Sequence, residues 1–108
     1  MAFSIKQQKD LQVNATTVAG ATYTVLSTDD IIHSTYSATG AVTITIPTAL
    51  IAEKKTFTIK DAGGNAGTNN ITISPQGAET IDGSATYVIN SDYDSITLYS
   101  DGNNWYII

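Results

Sequence analysis

The sequence predicts an all-β domain, an antiparallel β-sandwich or barrel-like fold of about eight or nine short strands with one short helix. Three observations carry that expectation. Apolar and polar residues alternate in short runs such as Val42-Thr43-Ile44-Thr45-Ile46, Thr56-Phe57-Thr58-Ile59 and Ile71-Thr72-Ile73-Ser74, the period of a half-buried strand. Turn-forming residues separate the runs, most densely between Lys60 and Gly83, where Asp61, Gly63, Gly64, Asn65, Gly67, Pro75, Gly77, Asp82 and Gly83 lie. Charged residues make up only 14% of the chain, against about 25% in an ordinary soluble domain, and Thr, Ser and Asn fill the difference.

The chain has 108 residues, enough for one domain or one domain with an arm. Two Phe, one Trp and one Met make a thin core, which suggests that subunits share burial in an oligomer. Cysteine is absent, so disulfides, thiolate metal sites and Cys nucleophiles are excluded. The net charge is −5 with five Lys and Arg, too few for a phosphate-binding surface, and no nucleic-acid partner is expected. Lys54-Lys55 is the one basic pair and reads as a solvated loop. The opening MAFSIKQQKDLQ has no long apolar run, so neither a signal peptide nor a membrane partner is expected.

Residues 1–20 are the least regular part and read as an N-terminal arm, with the β-rich domain spanning 21–108. Phe3, Ile5, Leu11 and Val13 are the arm's apolar positions and the candidate partner-binding residues. Thr22 to Leu26 is extended, and Ser27 to Asp30 turns. Ile31 to Ser37 follows, with Ile32, Ser34 and Tyr36 on one face and Ile31, His33 and Thr35 on the other. Val42 to Ile46 is a clean strand that Pro47 ends, having no amide proton to donate. Thr48 to Glu53 is the helical candidate, one or two turns after that proline.

Thr56 to Lys60, Ile71 to Ser74, a short piece at Thr80-Ile81, Thr86 to Ile89 and Ser95 to Tyr99 supply further strands. Ser100-Asp101-Gly102-Asn103 is a hairpin turn, and Asn104 to Ile108 closes the chain, with Trp105 and Ile107 on one face. Thr-x-Thr recurs at 22/24, 43/45 and 56/58 at unequal intervals. Thr at i and i+2 points the same way on a strand. A flat rank of them would order water as ice-binding surfaces do, and ordinary β propensity gives the same pattern.

Catalysis finds no foothold, so no enzyme activity, catalytic residue, cofactor or metal site is expected. His33 is the single histidine, and no G-x-S-x-G elbow exists. Asp61, Asp82, Asp92, Asp94 and Asp101 fall in predicted turns. Asp92, Asp94 and Asp101 place oxygens in adjacent loops, but without EF-hand spacing. Gly63-Gly64-Asn65-Ala66-Gly67 lacks the lysine of a P-loop. Tyr87, Tyr93, Tyr99, Trp105 and Tyr106 crowd the last quarter. Planar aromatics beside Asn and Asp suit stacking on sugar, with Trp105 and Tyr106 as the platform, and they equally suit core or interface packing.

YTVLSTDDIIHSTYSATGAVTITIPTA, FTIKDAGGNAGTNNITISPQGAETIDG and ITLYSDGNNWYII, taken in order, resemble a module of tailed-bacteriophage virion proteins found in tail-fibre, head-fibre and capsid-decoration proteins. The resemblance covers Ala21 to Ile108. It implies a β-rich homotrimer with a structural or attachment role, located in the virion, and no enzymatic activity. Residues 1–20 are short for a fibre stalk and lack sustained heptads. The resemblance therefore implies a capsid decoration or cement protein whose partner is the major capsid protein or another virion component, with the arm gripping the head lattice. A tail-fibre or head-fibre attachment module and a module binding host-surface glycan are the alternatives.

Overall fold

The computed structural model describes residues 13–53 and 56–108. Nine strands are described: β1 (Ala15–Val18), β2 (Thr22–Thr24), β3 (Ile31–Ser34), β4 (Val42–Ile46), β5 (Thr56–Asp61), β6 (Ile71–Pro75), β7 (Tyr87–Ile89), β8 (Ser95–Ser100) and β9 (Trp105–Ile107). Among the described residues one short helix, α1 (Ala49–Ala52), follows Pro47 and buries Leu50 and Ile51. The strands form two sheets, one in the order β1-β3-β5-β8-β9 and the other in the order β2-β4-β6-β7. The fold is mostly β, and neither sheet closes into a barrel.

The purely antiparallel expectation is corrected. β1, β3 and β5 are parallel to one another, as are β2, β4 and β6. From β1 to β6 the chain changes sheet at every connection, so each strand lies beside the strand two before it. The result is three flat coils laid one on the next. Among the described strands, antiparallel ladders enter only where β7, β8 and β9 join, through β6–β7, β5–β8 and β8–β9. Turn residues mark where a chain reverses. They do not state whether the next strand stays in its sheet or crosses to the other, and here most cross.

The inward positions follow the alternation. In the second sheet Ile44 stands beside Ile73, and Val42 beside Ile71, which is followed by Ile89. In the first, Ile32, Ile59 and Ile96 form a row. All of these are buried, as are Phe57, Leu98 and Trp105. Branched side chains stacked in register fill the layer between the sheets, which offsets the scarcity of aromatics.

The boundary of the arm is also corrected. Ala15–Val18 pairs with Ile31–Ser34 over its whole length, so the β domain begins before Ala21. Only Val18 in that strand carries a large buried apolar side chain. Thr16 turns inward instead and donates its hydroxyl to the buried Asp29 at 2.7 Å. An inward polar residue erased the alternation that would have revealed the strand.

Candidate functional site

Of the four candidate arm residues, Phe3, Ile5 and Leu11 lie outside the described residues. Val13 is 66% exposed. Beside it the chain is fixed. The Asn14 amide donates to Asp30 Oδ2 at 2.8 Å, its side-chain amide donates to the Thr28 carbonyl at 3.1 Å, and its carbonyl accepts from the Asp30 and Ile31 amides. Whatever precedes Val13 therefore departs from a firmly held point at the edge of the first coil.

The aromatic candidates separate. Trp105 is fully buried and meets Phe57 edge-on, ring centroids 5.4 Å apart. It offers no ring face to a sugar, which corrects its assignment as a stacking platform. The mechanism is the pleat: β9 pairs antiparallel with β8, which turns Trp105 into the core and Tyr106 outward. Tyr106 instead lies against Tyr99, centroids 5.6 Å apart and rings tilted by 30°. Tyr99 is 39% exposed. The Asp101 charge, with burial and a hydrogen bond to the same carboxylate, raises the Tyr106 hydroxyl above its ordinary value. Tyr99 and Tyr106 thus form an outward aromatic pair with a carboxylate at its rim. Alternation already puts Trp105 and Tyr106 on opposite faces of the last strand; which face turns inward is settled only by how the sheets pack.

The aspartates brace turns. Asp61 is nearly buried, and its two oxygens accept amides from Gly64 (3.1 Å), Ala66 (2.8 Å) and Tyr93 (2.9 Å). Burial alone would raise its carboxyl. The N–H groups of Ala66, Tyr93, Asn65 and Gly64 outweigh that and hold it below its ordinary value. Asp92 accepts from the Gly67 amide, Asp94 from Ser95, Asp82 from Ile107, and Asp101 from Asn103 and Asn104. At the other end of the core, Asp29 takes the Tyr23 hydroxyl at 2.7 Å and the Leu26 amide at 2.8 Å. Burial first, and then this bond and the Asp29 charge, push the Tyr23 hydroxyl up to about 12. Among the described residues no group of three or more His, Asp or Glu side chains converges as metal ligands would. His33 sits on the outer face of the first sheet, between Thr17 and Lys60.

A third surface was only partly legible. The Thr-x-Thr pairs of β2 and β4 lie in register despite their unequal sequence intervals, Thr22 beside Thr43 and Thr24 beside Thr45. β6 extends both rows with Thr72 and Ser74. The third sequence pair, Thr56 and Thr58, belongs to the other sheet. The intervals differ because the corners between strands differ in length, and the corners lie outside the sheet.

No protein-family model matches the chain, and neither does any curated protein.

Proposed function

We propose that the chain is a non-enzymatic structural protein of a tailed-bacteriophage virion, a homotrimeric capsid decoration or cement protein that binds the head lattice. The observation that carries the reading is how the landmarks of the phage-module resemblance fit together. Tyr23 closes one end of the core through Asp29. Val42–Ile46 forms the middle of the second sheet. The Lys60–Asn65 turn is gathered by Asp61. Ile81 bridges to Trp105, and Asn104 Oδ1 accepts both the amide and the hydroxyl of Thr80. Landmarks far apart in sequence serve one scaffold, as expected of a module kept for its shape.

A cement protein must be soluble alone and bind a repeating surface. A three-fold assembly multiplies a weak contact through avidity. The segment before Asn14, with Phe3, Ile5, Leu11 and Val13, is the proposed lattice-binding arm. Light scattering should give about 34 kDa, three chains of 11.4 kDa. Deleting residues 1–12 should abolish co-sedimentation with the parent capsid and leave the β domain folded, since Asn14 keeps its anchors. A monomeric mass, or capsid binding that survives the deletion, overturns the reading. Cryo-microscopy of the virion separates a head location from a fibre location.

The Tyr99–Tyr106 pair favours a second reading, a module binding host-surface glycan. Exposed aromatic faces beside a carboxylate suit the apolar face and the hydroxyls of a sugar ring. A glycan array read with the native chain and with Tyr106→Ala decides it. A signal unaffected by the substitution removes the pair as the platform.

A further inference from the structure

We propose that the outer face of the second sheet is an ice-binding surface, built from Thr22, Thr24, Thr43, Thr45, Thr72 and Ser74. The inference is independent of the virion reading. Two rows cross three parallel strands, Thr22–Thr43–Thr72 and Thr24–Thr45–Ser74. Strand geometry spaces neighbours in a row by about 4.8 Å and places the rows about 6.6 Å apart, two residue rises along each strand. The hydroxyls therefore form a small rectangular net.

Two features make the net available and rigid. None of the six hydroxyls bonds to another group among the described residues. Some threonines elsewhere are engaged: Thr16 with Asp29, Thr35 with the Val18 carbonyl, Thr80 with Asn104, and Thr58 with Thr97 across the first sheet at 2.9 Å. Beneath the net, Val42, Ile44, Ile46, Ile71 and Ile73 are buried, which fixes the strands that carry it. β-Branching holds each of the five threonines to few rotamers, which limits the orientations of their methyl and hydroxyl groups.

The chemistry of the face selects its ligand. It carries no charged side chain on β2, β4 or β6, so it offers nothing to a phosphate or a basic partner. It also lacks the Trp, Tyr or Arg anchors that hold protein interfaces. What remains on β2, β4 and β6 is a two-dimensional set of donors and acceptors interleaved with methyl groups, bordered by the exposed Val88 of β7 beside Thr72. That matches a ligand made only of hydrogen-bonding oxygens at regular spacing, namely the ordered water at an ice crystal face.

The test uses the full chain in thermal-hysteresis and ice-recrystallisation assays. The native protein should inhibit recrystallisation. Thr43→Lys, at the centre of the net and facing solvent, should require at least tenfold more protein for the same effect. Thr17→Lys, on the outer face of the other sheet, should behave as the native chain, and circular dichroism should show both variants folded. Absence of inhibition by the native chain overturns the proposal, as does equal inhibition by Thr43→Lys. A native oligomer that Thr43→Lys dissociates also overturns it, because the net then lies between copies of the chain.

Discussion

Asp61 shows how much one side chain organises. Its carboxylate reaches the Gly64–Ala66 turn and the turn at Tyr93, so it joins the loop after β5 to the loop before β8. Tyr93 holds a positive φ of 65°, uncommon for a bulky residue. It is kept there by its amide bond to Asp61 and by the Lys60 ammonium, which donates to its carbonyl. Gly64 beneath it also has a positive φ, and a Cβ there would run into the Tyr93 ring. Asp61→Asn should cost about 2 kcal/mol at neutral pH, the scale of hydrogen bonds to a charged group. The folded-state carboxyl lies below its ordinary 3.8. The stabilisation is therefore present above that value and lost as pH falls through the lower, folded one. Denaturant melts across pH should show the native and Asp61→Asn proteins converging in acid. A gap that persists there would assign the effect to shape rather than charge.

At the scale of elements, Trp105 is the largest fully buried side chain, and it belongs to a strand of three residues. β9 is held by that anchor, by the bridge to Ile81 and by its ladder to β8. Trp105→Ala should cost about 3–5 kcal/mol, read as a lower denaturation midpoint, and should free the 80–84 segment to exchange amide protons early. Elements were the most legible level of the sequence. β4, β5, β6, β8 and α1 lie where alternation and Pro47 put them, because each strand has one apolar and one polar face. The hairpin read at Ser100–Asn103 lies between β8 and β9, and the Asp101 carboxylate caps the turn. β1 was missed because Thr16 faces inward toward a carboxylate. For the candidate surfaces, sequence showed the Thr pairs and the late aromatics. Alternation set Trp105 and Tyr106 on opposite faces, but sequence did not show which of them turns inward or that two Thr pairs align, because both depend on how the strands assemble.

For the whole molecule, the coils mean that each strand leans mainly on its neighbours in the stack, as in solenoids. β1 and β2 pair on one side only, while β4, β5 and β6 pair on both. Native-state hydrogen exchange should therefore be slowest in β4, β5 and β6 and fastest in β1 and β2. Equal protection throughout would indicate one indivisible unit. What sequence concealed at this scale was the crossing between sheets, since a corner and a hairpin use the same Gly, Asn and Asp residues.

The same winding bears on synthesis. Ile44 lies beside Tyr23 but gains its second neighbour only at Ile73, and β5, paired with β3, waits for β8 on its other side. As the chain leaves a ribosome, each new strand must hold an open edge until the next coil arrives. β9 joins the first sheet last, and Trp105 enters the core only with that strand. A chain cut before β9 keeps β8 unpaired on one side and lacks the buried Trp105 side chain. Premature termination thus yields a sticky, proteolysis-prone product rather than a slightly shorter folded one.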